Sequence, residues 1–171
     1  MSYLNMNDDK LMPTVVELNT LLADYHIYYQ NLRNFHWNIL GENFFELHEK
    51  FEELYTEARE KIDEIAERIL TLRYHPISNL RDFLKVSSIE EVSSERTDIE
   101  MVKDILGNHN ILLEQMSKVI KEAEKINDEG TIDLIGAYIR ELEKTSWMLD
   151  AFTKDSSSQL RKSAIPAFSN N

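Results

Sequence analysis

Apolar residues recur along most of this sequence at alternating steps of three and four positions. This spacing gathers them on one face of an α-helix, which has about 3.6 residues per turn. Only 4 Gly and 3 Pro occur among 171 residues, so little interrupts such helices. The first helix should begin near residue 13, and its buried stripe is Val15, Leu18, Leu22, Tyr25, Tyr29, Leu32, His36 and Ile39.

Three further stretches repeat this pattern and predict three more long helices. The second helix opens on a pair that resembles a capping box, Asn43 with Glu46, and stops before Pro76. The third opens on another capping box, Thr97 with Glu100. The fourth follows a break at residues 127–130, where Asn127, Asp128 and Gly130 favour a turn.

The connection between the second and third helices covers residues 76–96, enough to run the length of a bundle. Within it, residues 78–85 are predicted to form a short helix with Leu80, Phe83 and Leu84 on its apolar side. Four long helices with one long crossover are typical of ferritin-like bundles. The predicted fold is therefore all-α, a ferritin-like four-helix bundle with a short extra helix between helices 2 and 3.

The length of the chain suits one domain with a substantial core. The short polar stretch over residues 1–10 is predicted to be a flexible N-terminal tail. Residues 11–154 would form the bundle domain. The Ser-rich stretch over residues 155–171 would form a flexible C-terminal tail.

The chain is acidic, with 19 Lys and Arg against 31 Asp and Glu and a net charge of −12. This charge argues against a general nucleic-acid-binding surface and favours a protein that attracts cations. The absence of cysteine excludes disulfides, thiolate metal sites and thiol nucleophiles. No apolar run approaches about 18 residues and no signal-peptide pattern is present, so we expect a cytoplasmic protein with no membrane segment.

The residues best suited to bind a metal lie between His36 and Glu67. His48 and Glu52 are four positions apart and share one helix face. Asp63 and Glu67 form a second pair with the same spacing. Because carboxylates dominate this set and no thiolate is available, it suits an iron-type ion better than a structural zinc ion.

The two pairs cannot meet within one helix, because Glu52 and Asp63 lie roughly 16 Å apart along its axis. However, His48 and Glu67 are equally distant from a midpoint beside Ala58, and so are Glu52 and Asp63. Two copies of the helix crossing antiparallel at this point would form two equivalent sites about a twofold axis. The small side chain of Ala58 would allow the two helices to approach closely. The spacing thus predicts a metal centre shared by two subunits.

Several short motifs in this sequence also occur together in one known family: His36, Trp37 and Asn38, then Gly41, Phe44, His48, Glu49, Asp63, Ala66, Glu67, Arg68, His75, Pro76 and Trp147. In this combination the chain resembles the Dps family of miniferritins over residues 11–153. Members of that family form hollow dodecamers of four-helix subunits. They oxidise Fe(II), usually with hydrogen peroxide, and store ferric oxide, with ferroxidase sites at the twofold interface.

The resemblance implies a ferroxidase that protects against oxidative stress, with two irons per intersubunit site and peroxide or oxygen as the oxidant. It assigns His36, His48 and Glu52 to one subunit and Asp63 and Glu67 to its partner. Glu52 departs from the aspartate common at that position. We therefore expect a working site whose second iron is shifted in position.

The resemblance implies further roles for an aromatic residue and for two acidic residues. Trp37 matches a tryptophan near the iron centre of the family, where it takes up radical equivalents. Asp133, fourteen residues before Trp147, matches an aspartate that lines a threefold pore. Asp128 would add negative charge at the mouth of that pore, where acidic residues attract Fe(II).

Two other interpretations stay open. In the first, the protein is a nucleoid-associated Dps protein that binds and protects DNA, with ferroxidase activity secondary; the acidic charge and lysine-poor tails make direct DNA binding unfavourable. In the second, the chain forms an inactive helical cage, with His36 a core histidine and Asp63 and Glu67 on a solvated face. His109 has no partner at ligand spacing and is predicted to lie in the core, as is Trp147.

Overall fold

The computed structural model describes Leu4 and residues 10–155. These residues form five helices, α1 Met12–Asn38, α2 Phe44–Thr71, α3 Leu80–Val86, α4 Asp98–Glu124 and α5 Glu129–Phe152. The four long helices form a bundle, and α3 lies in the crossover between α2 and α4, so the predicted all-α fold is confirmed. The predicted tails, 1–10 and 155–171, fall almost entirely outside the described residues, and the domain boundaries stay a prediction.

More residues of helix α1 are buried than the predicted stripe contains. It contacts α2, α3 and α4, so nearly its whole circumference faces another element. Most of the predicted stripe is buried, and so are residues from other faces of the helix: Leu21, Ala23, Ile27, Tyr28 and Phe35. The low amphipathicity of this helix follows from its central place in the bundle.

Two polar residues on α1 hold the crossover segment against the bundle. The buried carboxylate of Asp24 accepts hydrogen bonds from the Ser87 hydroxyl at 2.9 Å and the Ser88 amide at 2.6 Å. The side-chain nitrogen of Asn31 donates to the Glu90 carbonyl at 3.0 Å, and its side-chain oxygen accepts from the Val92 amide at 3.2 Å. These contacts satisfy backbone groups of the loop that would otherwise be buried without partners.

Only one of the two predicted capping boxes is present. The capping box of Thr97 and Glu100 on α4 is confirmed. The one predicted for Asn43 is wrong, because its side chain makes no cap and instead donates to the Asp98 carboxylate at 2.6 Å. This bond ties the start of α2 to the start of α4.

The apolar side predicted for the short helix is buried only at Phe83, whereas Leu80 and Leu84 are exposed. Trp147 is also exposed within the subunit, so its prediction as a core aromatic is wrong. Both errors concern apolar side chains that remain exposed in the single chain. No helix among the described residues is both long and apolar enough to cross a membrane.

His109 lies in the core as predicted, with 1% of its surface exposed. The Ser146 hydroxyl donates to the Leu142 carbonyl, so it accepts from His109 Nδ1, 2.8 Å away. The Tyr28 hydroxyl then donates to the free Nε2 at 2.8 Å. Burial of this neutral ring lowers the pKa of His109 to about 3.

This low pKa predicts that stability falls as the solution is acidified. The unfolded chain takes up a proton near pH 6.5 and the folded chain only near pH 3, so unfolding is favoured below pH 6.5. Between pH 7 and pH 5 this group should cost the folded state about 2 kcal/mol. Urea unfolding at fixed subunit concentration should show this loss in the wild type and lack it in His109→Gln. Parallel pH dependences of the two proteins would contradict the assignment.

Candidate metal centre

His36, in the last turn of α1, and His48, in the second turn of α2, face each other across a short loop. Gly41 lets the chain reverse there, because its φ of +108° is strained for any residue with a Cβ. The two imidazole rings stack with their centroids 3.8 Å apart and their planes 22° apart.

Each histidine ring binds the backbone of the other residue. The Nδ1 atom of His36 is 2.8 Å from the His48 carbonyl oxygen, and the Nδ1 atom of His48 is 2.9 Å from the His36 carbonyl oxygen. A carbonyl can only accept a hydrogen bond, so both Nδ1 atoms carry a proton. In the neutral rings, Nε2 is then the unprotonated nitrogen. This is the arrangement in which protein histidines bind metal ions.

Aromatic residues fix the positions of both rings. The Phe44 ring stacks on His48, with a centroid distance of 5.0 Å. The Tyr55 ring meets His36 edge-on at 5.3 Å. His36 is 9% exposed and His48 is half-buried, so neither ring is free to rotate into solvent without losing these contacts.

The predicted carboxylate ligands all lie on α2, and all are exposed. Glu52 is one turn beyond His48, and its Oε1 accepts a hydrogen bond from the Tyr55 hydroxyl at 3.3 Å. Desolvation and the nearby Glu52 charge raise the pKa of Tyr55 above its usual value. Asp63 and Glu67 belong to the far half of the helix, roughly 16 Å and 22 Å further along its axis than Glu52. Within residues 10–155 of a single chain, no three acidic or histidine side chains are grouped to hold a metal ion.

Trp37 follows His36 and lies at the surface. Its ring is 59% exposed, and the Arg33 guanidinium lies 4.6 Å from the ring centroid. The same guanidinium is 5.2 Å from the Tyr29 ring centroid. Trp37 thus directly follows His36 in α1 and lies outside the hydrophobic core.

The two predicted pore residues have different environments. Asp133 is exposed on α5. Asp128 is 1% exposed and caps α5, accepting from the Thr131 amide at 3.0 Å and from the Thr131 hydroxyl at 2.6 Å. It also pairs with Arg68, the residue after Glu67, and Arg68 donates to the Thr131 hydroxyl at 2.9 Å. Both oxygens of Asp128 are therefore engaged inside the subunit, and of the two residues only Asp133 is open to solvent.

Comparison with known proteins places this architecture in a family. The family model for the ferritin-like domain matches residues 15–157. The DNA protection during starvation protein 2 of Bacillus anthracis is 44% identical over 135 residues, which is 79% of this chain and 92% of that protein. The Dps protein of Vibrio cholerae O1 superimposes with a TM-score of 0.86 and 40% identity, covering 90% of this chain and 98% of that one. The chain belongs to the Dps family.

A second Dps structure, from Bacillus brevis, matches with a TM-score of 0.83 and 40% identity, covering 85% of this chain and 98% of that one. The resemblance inferred from the sequence motifs is thereby confirmed. The Vibrio cholerae protein is described as a member of a broad superfamily of ferritin-like diiron-carboxylate proteins. The stretch from His36 to Glu67 lies within the matched region of this Dps chain.

Sequence reasoning missed two features of the site. The reciprocal bonds between His36 and His48 depend on the exact path of a short loop, which residue spacing does not reveal. Tyr55 was detectable, because it lies three positions after Glu52 and shares its face of the helix.

Proposed function

We propose that this Dps protein is a ferroxidase that binds two Fe(II) ions between two subunits and stores the ferric product in a hollow dodecamer. The observation that carries the proposal is the reciprocal hydrogen bonding of His36 and His48. It holds two adjacent imidazoles in the tautomer that leaves Nε2 as the unprotonated nitrogen of each neutral ring. The description of the Vibrio cholerae relative as a diiron-carboxylate protein supports the choice of iron.

The proposed site combines two halves from different subunits. His36, His48 and Glu52 come from one subunit, and Asp63 and Glu67 come from the antiparallel α2 of its partner. The exposure of all three carboxylates supports this arrangement, because they are free to meet a second chain. Anionic oxygen ligands stabilise Fe(III) more than Fe(II) and therefore favour loss of an electron.

Two irons at one site allow peroxide to be reduced without releasing a radical. Each Fe(II) gives one electron, the O–O bond of hydrogen peroxide breaks, and both oxygen atoms leave as hydroxide. A single Fe(II) would supply one electron and release hydroxyl radical. In this scheme Trp37, exposed beside the histidines, takes up stray oxidising equivalents. Asp133 and the net charge of −12 attract Fe(II) towards the shell.

Stopped-flow absorbance of Fe(II) mixed with peroxide tests this function. The double variant Asp63→Ala/Glu67→Ala removes the anionic half of each site and should slow oxidation by roughly 10- to 100-fold or more. A control, Glu60→Ala/Glu143→Ala, removes the same charge from exposed positions outside the site and should keep the wild-type rate. Size measurement should show about 240 kDa for each assembled protein, twelve chains of 20.1 kDa. An unchanged rate in the first variant would overturn the site.

DNA protection is the second candidate, because relatives such as that of Bacillus anthracis carry this name. Affinity for DNA depends mainly on cationic side chains that neutralise phosphates. With a charge of −12 per chain, we expect no retarded band in a gel shift of duplex DNA at about 150 mM salt. A variant with a lysine-rich N-terminal extension serves as the positive control. A clear shift by the unmodified chain would show that local surface charge outweighs the net charge.

A further inference from the structure

Tyr55 contacts two of the proposed ligands at once. Its hydroxyl donates to Glu52 Oε1 at 3.3 Å, and its ring edge meets the His36 ring at 5.3 Å and 84°. On its other side it meets the Tyr29 ring edge-on at 6.0 Å and 89°. The half-buried Tyr55 is therefore held between two rings, with its hydroxyl directed at a carboxylate.

The length of the Glu52 side chain makes this contact possible. Residues three apart on a helix are neighbours, and the additional methylene of glutamate lets its carboxylate reach towards the hydroxyl of Tyr55. The same methylene adds a rotatable bond, whose freedom is lost when the carboxylate binds a metal ion. A hydrogen bond that restrains the carboxylate beforehand reduces that loss.

A carboxylate that binds Tyr55 remains able to bind a metal ion. It has two oxygen atoms and about four acceptor sites. Oε1 faces Tyr55, and Oε2 is left for the ion. Carboxylates that bind metal ions are commonly oriented by such hydrogen bonds.

We propose that Tyr55 is a positioning residue that orients the longer carboxylate of Glu52 towards the second metal ion of the site. This inference rests on the proposed ferroxidase function. It accounts for how glutamate serves at a position where the resemblance leads one to expect aspartate. If Tyr55 served only to pack between Tyr29 and His36, phenylalanine would replace it without consequence.

Binding of Co(II) to the assembled protein tests the proposal without any oxidation step. Isothermal titration gives the affinity and stoichiometry, and visible absorbance reports the geometry around the cobalt. Tyr55→Phe keeps the ring and removes the hydroxyl, so we expect the weaker of two Co(II) ions to lose about tenfold in affinity, with an altered cobalt spectrum. Tyr29→Phe, the matched control, removes a hydroxyl from the adjoining ring and should bind Co(II) as the wild type does.

A double-mutant cycle separates positioning from packing. In Glu52→Asp the shorter carboxylate cannot reach the Tyr55 hydroxyl, so adding Tyr55→Phe should cause no further loss of affinity. An equal loss in both backgrounds would overturn the proposal, and so would equal affinities for Tyr55→Phe and the wild type. Circular dichroism and size measurement verify that each variant is folded and assembled.

Different results would contradict the intersubunit site and the role of Tyr55. If Asp63→Ala/Glu67→Ala bound Co(II) as tightly as the wild type, the intersubunit site itself would be wrong. If that variant lost Co(II) while Tyr55→Phe kept it, the site would stand and only the role of Tyr55 would fall.

Discussion

The reciprocal hydrogen bonds between His36 and His48 join the end of α1 to the beginning of α2 and set the chemistry of both rings. The carbonyl of His36 is among the last four of α1, which a helix leaves without partners of its own. The His48 ring therefore donates a hydrogen bond to a carbonyl at the end of α1. The same bond fixes the tautomer of His48. One arrangement provides a folding contact and sets the tautomer of the two proposed nitrogen ligands.

The length of α2 separates these proposed nitrogen ligands from the proposed anionic ones. A helix of 28 residues keeps Asp63 and Glu67 well beyond reach of His48 in the same chain. In the proposed twofold arrangement, the partner's helix supplies the missing carboxylates, so assembly and iron chemistry depend on the same surface. The pair of Arg68 with Asp128 fixes the far half of α2 against the start of α5, next to Glu67.

Periodicity predicted the helices, the crossover and the core position of His109, because burial of one face follows directly from residue spacing. It failed where the partner is distant in sequence. Asn43 bonds Asp98 instead of capping its own helix, and Asp128 is engaged by Arg68 across the bundle. The proposed ligands stay a prediction from the sequence, whereas the hydrogen-bonding state of the histidines required the loop geometry.

Mixing two impaired variants tests the shared site most directly. His36→Ala/His48→Ala and Asp63→Ala/Glu67→Ala each break every site of a homodimer, but a mixed dimer keeps one site intact. After dissociation and random reassembly of equal amounts, about a quarter of the wild-type rate of Fe(II) oxidation by peroxide should return. Each variant taken alone through the same treatment should keep only its own slow rate. A mixture without activity, despite demonstrated mixed dimers, would contradict a site built from two subunits.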